Sequence, residues 1–345
     1  MTTTTTIAVD SLMTLSGKVL EAAGLPPEDA AAAAPVLVEG DMMGIGTHGV
    51  GRLPGYCERI RIGGIAAKAE ITVDRRAASL AIVDGGNALG PVVGARALEA
   101  ALDIVSETGI AYVGCRNSNH FGALAPYALR ACEAGFVSIM GTGASTTMPP
   151  WGGAEARIGN NPIGFAAPCS GEPHFILDMA MSVAARGKIR AAQAAGKPIP
   201  EGWAVDAQGQ PTTDPSAALA GLLIPFGGHK GSGLSQAVDL LSGVLSGARF
   251  LTGVSSWVDK PEAPQGIGHF FLLIDPERLM GRAAFQSAMD EFRAVIAGTP
   301  PADPAEPVLL PGQREQILRA RALREGISID ANLLDDLRRL AEAGR

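Results

Sequence analysis

Histidine, cysteine and aromatic residues are scarce in this chain of 345 residues, which holds five His, four Cys, three Trp, three Tyr and ten Phe. The cysteines, Cys57, Cys115, Cys132 and Cys169, stand far apart and form no CxxC pair. That excludes a zinc ribbon and a disulfide framework, and it points to reduced thiols in a cytoplasmic protein. The histidines, His48, His120, His174, His229 and His269, form no close cluster with Cys or carboxylates, so no dedicated metal site is expected. No run of about 18 uncharged apolar residues is present, which excludes an ordinary transmembrane helix. Residues 1–6 lack the basic start and apolar core of a signal peptide and read as a frayed tail. A basic tract is missing too: 28 Lys+Arg against 35 Asp+Glu leave a net charge of −7, a poor basis for binding nucleic acid or an anionic membrane surface.

What the chain does have is a globular composition, 47% hydrophobic and 18% charged, and enough length for two domains. Residues 7–43 carry a helix pair broken at Gly24-Leu25-Pro26-Pro27, and residues 52–62 a further helix. Short β-branched runs over residues 71–84 predict strands, followed by a helix over 90–108. Strand signals at 110–114, 136–140, 175–177 and 266–274 alternate with helical stretches at 121–134, 182–195 and 233–246. This alternation predicts an α/β core with a mixed sheet. Beyond a stretch rich in Pro, Ala and acid at 298–311, the chain ends in charged helices.

Dinucleotide fingerprints are absent. Gly141-Thr142-Gly143-Ala144-Ser145-Thr146 follows a strand but lacks the third glycine, and Pro149-Pro150 blocks the helix that would receive a pyrophosphate. Three polar clusters carry the chemistry instead. In Thr47-His48 a hydroxyl abuts an imidazole, and Arg52 and Tyr56 fall at i and i+4 on one helical face. A titrating group thus stands beside a guanidinium able to grip a carboxylate, though the segment also fits a glycine-rich turn with a surface arginine. Asn117 to Gly122 lies between a strand and a helix, where loops present N–H groups to ligands; Ser118 or Asn119 acting as a plain helix cap is the alternative. Gly227 to Gly233 wraps four glycines around His229-Lys230, suited to a phosphate or to a flexible surface loop.

The stretches GTHGVGRLPGYCERI, SNHFGALAPYAL, PWGGAEARIGNNPIGFAAP, LDMAMSVAARGKI and GGHKGSGLSQAVDLLSGVLSG, in this order, resemble the malate/L-lactate dehydrogenase family, whose fold is not Rossmann. The resemblance implies a non-Rossmann NAD(P)-binding domain at residues 76–250. It is inserted between a helical N-terminal segment, 1–75, and a C-terminal segment, 251–345, that completes the helical domain. It implies a homodimer, and hydride transfer between NAD(P)H and C2 of a small 2-hydroxy or 2-oxo acid, with reduction of a cyclic 2-imino acid as the alternative. By the resemblance Thr47-His48 is the catalytic pair with His48 moving the proton, and His120 is its rival. Arg52 binds the substrate carboxylate, with Tyr56 and Asn160 beside it. His120, Phe121, Gly122, Ala123 and Leu124, then Asp178, Met179 and Ala180, then His229 and Lys230, and finally Gly312 with Arg314 match cofactor contacts. Arg314 facing a 2′-phosphate favours NADPH over NADH. Thr47 stands where the family usually has serine, and Asn160 and Met181 where it has threonine. Lys188 occupies the catalytic-site position at which the imine reductases carry an aspartate that completes a relay with the histidine. A lysine cannot fill that role, which favours the hydroxy-acid dehydrogenase; an ordinary exposed helix residue is the other reading of Lys188.

Overall fold

The computed structural model describes residues 3–343. Its two ends lie side by side, because Thr4–Ile7 is a strand paired antiparallel with Ile327–Asp330. Residues 1 and 2 of the expected tail fall outside the described residues, and Thr4 to Thr6 belong to this strand rather than to a frayed end. The β-branched threonines suit an extended backbone, and the partner strand, more than three hundred residues away in sequence, supplies the hydrogen bonds. Helices Val9–Ala22, Pro27–Met42 and Leu53–Arg61 close with the C-terminal helix Ala331–Glu342 over an apolar cluster that includes Leu12, Leu20, Leu37, Leu53, Tyr56, Leu334 and Leu337.

A seven-stranded sheet forms the middle of the molecule. Its order is Thr72–Ala77, Leu80–Asp84, Ile110–Ser118, Ile267–Ile274, Val137–Thr142, Ile163–Ala167 and Phe175–Met179. Leu80–Asp84 runs parallel to Ile110–Ser118, and the helix Gly90–Thr108 makes the crossover that a parallel pair requires. Every other neighbouring pair in this sheet is antiparallel. One parallel pair in a mixed sheet is incompatible with a doubly wound Rossmann domain, so the expected mixed α/β class is the observed one. Val93, Ala97, Leu98, Ala101 and Val105 of the crossover helix pack on Val113, Phe271 and Leu273 of the sheet.

Three helices start or end elsewhere than the apolar pattern predicts. The helix expected from residue 121 begins at Ala125, and the one expected from 182 begins at Arg186. The third spans His229–Asp239 and widens into a π-type turn over Leu240–Val244. The segments left out of the first two, Phe121–Leu124 and residues 182–185, are irregular backbone, and both lie at the site.

Candidate active site

After the helix Pro27–Met42 the chain turns through Gly46–His48 and Val50–Arg52, two 3-10 turns, into the helix Leu53–Arg61. The Ile45 N–H donates to Gly40 O at 2.7 Å, and the Val50 N–H donates to Asp41 Oδ2 at 2.7 Å, so the loop is tied to the helix that precedes it. On this loop Thr47 Oγ1 lies 2.9 Å from His48 Nδ1, and Arg52 Nε donates to Thr47 O at 2.6 Å. Among the described residues the Arg52 guanidinium has no acidic partner. It lies 5.4 Å from the centroid of the Trp257 ring, a cation held on an aromatic face.

The strand Ile110–Ser118 delivers His120 to the same place. His120 is stacked on His48 on one side, with centroids 5.3 Å apart, and on Trp257 on the other, also at 5.3 Å. The Tyr56 hydroxyl lies 2.7 Å from His120 Nδ1. Tyr56 is fully buried, so it reaches the site through His120 and not through the cleft. The His120 N–H donates to Gln265 Oε1 at 3.0 Å, and Arg59 Nη1 donates to the same oxygen at 3.0 Å. Arg59 is itself buried and also binds Asn119 Oδ1 at 3.1 Å. Asn119 is therefore part of a buried network and caps no helix, and Ser118 is likewise taken up by His269 at 2.8 Å.

Electrostatics distinguish the two histidines. Burial, reinforced by Arg52, lowers His48 to about 4. Burial holds His120 well below the ordinary imidazole range, with His48, Arg52, His269 and Arg59 all adding to the effect. Both rings are neutral at pH 7. The hydrogen bond between His48 and Thr47 serves either direction of proton flow. With Nδ1–H donating to Thr47 Oγ1, Nε2 is left to accept a proton, and the imidazolium so formed, protonated on both nitrogens, gives that proton back from Nε2.

The residues matched to a cofactor gather around one strand end. Asp178 Oδ2 accepts the N–H groups of Leu124 and Ala125, each at 2.9 Å, and thereby holds the buried loop Phe121, Gly122, Ala123, Leu124 against Phe175–Met179. Burial lifts the Asp178 carboxyl to about 6. On the same strand the Ile176 N–H donates to Pro311 O at 3.0 Å. Gly312, with φ +81°, sits so close that a Cβ would meet Ile176 O at 2.6 Å. Past Met179 and Ala180, the Met181 N–H donates to Asn160 O and the Phe226 N–H to Met181 O, each at 2.9 Å. Those bonds bring Asn160 and the loop leading to His229 and Lys230 to the same run. Lys230 and Arg314 are exposed and have no ion-pair partner among the described residues.

Lys188 is exposed on the helix Arg186–Ala194, one residue from Gly187, whose missing Cβ would sit 3.7 Å from Thr47 Cγ2. The helix thus lies against the catalytic loop, but Lys188 makes no bond to His48 among the described residues. Sequence reading missed Trp257, Gln265, Arg59 and Asp41. Asp41 leaves a local signal, an acid in an apolar helix end just ahead of Thr47-His48; Arg59, seven residues after Arg52, reads as an ordinary helix residue, and Trp257 and Gln265 join the site from more than a hundred residues away.

The molecule matches known proteins over most of its length. Residues 7–338 fit the family model described as malate/L-lactate dehydrogenase. The L-sulfolactate dehydrogenase of Methanocaldococcus jannaschii is 38% identical over 93% of this chain and 92% of its own. The solved structure of that archaeon's sulfolactate dehydrogenase superposes with a TM-score of 0.90, covering 99% of this chain and 97% of that one at 36% identity. A (2R)-3-sulfolactate dehydrogenase (NADP(+)) of Chromohalobacter salexigens is 35% identical over 97% of this chain and 98% of its own. A ureidoglycolate dehydrogenase (NAD(+)) of Escherichia coli is 37% identical over 89% and 87%.

Proposed function

The chain belongs to the malate/L-lactate dehydrogenase family, and from that premise we propose that Thr47-His48, Arg52 and the loop from His120 to Leu124 are its working site. It is an NAD(P)-dependent dehydrogenase of small 2-hydroxy acids. The observation that carries the residue assignment is the Thr47-His48 hydrogen bond on the same short loop as a guanidinium without an acidic partner.

A bound nicotinamide would supply the acceptor for the hydride at C2 of the hydroxy acid, or its donor for the oxo acid. In oxidation the neutral His48 imidazole accepts the hydroxyl proton as the C2–H bond breaks and the carbonyl forms; in reduction it gives that proton to the developing alkoxide. Arg52 holds the substrate carboxylate, which also cancels the positive charge that depresses His48 and so makes the imidazole easier to protonate while substrate is bound. Tyr56 fixes the plane of His120, and His120 with Trp257 walls the cleft and keeps water from the reacting carbon. Asp178 holds the Leu124 and Ala125 amides, and Lys230 and Arg314 are assigned to cofactor phosphates.

The substrate we assign carries a second anionic group. Arg190 lies one turn from Gly187, on the helix face that meets Thr47, and Arg52, whose guanidinium is depressed chiefly by burial, is depressed by Arg190 as well. Two unpaired cations across one cleft suit a dianion such as malate or oxaloacetate better than a monoanion. Homodimerisation belongs to the same proposal and is supported by the exposed apolar side chains of Leu240, Val244, Leu245 and Phe250. A cytoplasmic location belongs to it too, as does a division of the chain near residue 75; the second boundary falls beyond Ile267–Ile274 rather than near 250, because that strand lies at the centre of the sheet.

The test is the change in NADPH and then NADH absorbance with oxaloacetate, 3-sulfopyruvate, pyruvate and piperideine-2-carboxylate. Turnover of the two dianions with the highest kcat/KM is expected. Turnover of the cyclic imine alone would overturn the reading.

A further inference from the structure

The catalytic loop is wound around a single carboxyl group. Asp41, on the last turn of Pro27–Met42, accepts the Val50 N–H at 2.7 Å. A Cβ on Gly46 would lie 3.3 Å from its Oδ1, and a Cβ on Gly49 would run into all three atoms of the carboxyl group. Gly49 has φ −88°, which any L residue adopts, so it is the Asp41 carboxyl and not the backbone that leaves no room for a side chain there. Between Gly46 and Arg52 this loop holds Thr47, His48 and Arg52. The Asp41 side chain also borders a cavity of about 370 Å³ lined by Thr6, Gly44, Leu318, Ile327, Ser328 and the Arg321–Glu325 ion pair. Among the described residues neither charge of that pair bonds Asp41, so its one bond is spent on the loop.

We propose that Asp41 is a positioning residue for proton transfer and carboxylate binding alike: by pinning the Val50 N–H against Gly49, it sets where His48 and Arg52 stand relative to each other. The two groups must engage neighbouring atoms of one small substrate, the C2 oxygen and the C1 carboxylate, and misplacement by about 1 Å costs on the order of 100-fold in rate. This rests on the roles given to His48 and Arg52 above.

The experiment compares Asp41→Ala, Asp41→Asn, Gly49→Ala and the Asp41→Ala/Gly49→Ala double variant in full-length enzyme. It measures kcat, KM for oxaloacetate, NADPH Kd by fluorescence, and Tm. Asp41→Ala is expected to lower kcat about 10-fold and raise KM as well, with NADPH Kd within about 2-fold, since the cofactor strand is held by other bonds. Asp41→Asn keeps an oxygen acceptor for the Val50 N–H and should retain kcat within about 3-fold. Gly49→Ala should be as slow as Asp41→Ala, yet cost nothing further in the Asp41→Ala background, where the obstructing carboxyl is gone. A purely structural role would move Tm and leave the folded enzyme's kcat and KM alone. Wild-type kinetics in Asp41→Ala, equal Gly49→Ala losses in both backgrounds, or an Asp41→Asn enzyme as slow as Asp41→Ala would each overturn the proposal. Should Asp41→Ala not fold, the contrast between an active Asp41→Asn and a slow Gly49→Ala decides. Full turnover in His48→Ala and Arg52→Ala would instead sink the underlying site assignment, so the two failures are distinguishable.

Discussion

The imidazoles of His48 and His120 are stacked with their centroids 5.3 Å apart, and each disfavours a charge on the other. At most one of the two rings therefore carries a positive charge, and His48, with Thr47 on its Nδ1 and Arg52 on the same loop, is the ring assigned the proton transfer. His48→Ala is expected to lower kcat by at least about 100-fold with cofactor Kd unchanged, the usual range for loss of a general acid–base group. His120→Ala should lose less in kcat and more in cofactor affinity, because its main chain begins the loop that ends at Leu124. Stopped-flow hydride transfer with deuterated and protiated NADPH measures both. A reversed order of the two losses in kcat would assign the proton to His120.

The second cation at the site gives a prediction about substrate choice. Arg190→Ala should raise KM for oxaloacetate about 10-fold, equivalent to about 1.4 kcal/mol, while KM for pyruvate stays within about 2-fold. Steady-state kinetics on both acids tell the effect on the second anionic group from general damage. An equal rise for both acids would mean that Arg190 acts through Arg52 or through the helix Arg186–Ala194.

His269 links the central strands without touching the reaction. It is fully buried, with Nδ1 2.7 Å from Thr142 Oγ1 and Nε2 2.8 Å from Ser118 Oγ, and it stacks on Phe121 at 4.1 Å. Burial lowers it to about 3, against 6.5 when unfolded. The unfolded chain then binds more protons between those values, so stability is full above pH 6.5 and falls as the pH drops toward 3. The slope is about 1.4 kcal/mol per unit from this residue. Asp41 and Asp178, both raised to about 6, work in the opposite sense between pH 4 and 6, but they cancel in a difference between variants. His269→Gln should be less stable at pH 7 and lose less on going to pH 5. Urea-unfolding free energies at the two pH values measure this, and parallel pH curves for the two proteins would refute it.

What could be read from the residues alone follows how far apart the interacting groups are. Thr47, His48 and Arg52 share one short loop, and the crossover helix Gly90–Thr108 has an apolar face next to clear strands, so local pattern was enough for both. The apolar run Phe121–Leu124 carries the pattern of a helix start; what keeps it irregular is Asp178, on a strand more than fifty residues later. The threonines at the N-terminus carry no periodicity, and their strand exists only because Ile327–Asp330 lies beside it. Trp257 stood in a stretch of Pro, Lys and acid with no recognisable motif, and its position follows from Arg59.

Arg59 is the means by which that distant segment is held. Its guanidinium donates to Pro261 O at 3.1 Å, Ala263 O at 2.9 Å, Gly64 O at 2.9 Å and the side chains of Asn119 and Gln265, all neutral acceptors. Burial lowers it only to about 10, so it stays charged at pH 7. Five bonds from one planar group fix residues 261–265 relative to the helix Leu53–Arg61, and Trp257, a few residues earlier, is thereby set on Arg52 and His120. Lysine keeps the charge but offers three donors from one point, too few and wrongly directed for these acceptors. Arg59→Lys is expected to cost about 3 kcal/mol of stability, since buried carbonyls lose their donors. It should also raise KM for the oxo acid several-fold while leaving NADPH Kd unchanged. If Arg59 acts through the indole, the KM penalty disappears in a Trp257→Ala background; if it persists there in full, Arg59 reaches the substrate through Gln265 and the His120 backbone instead.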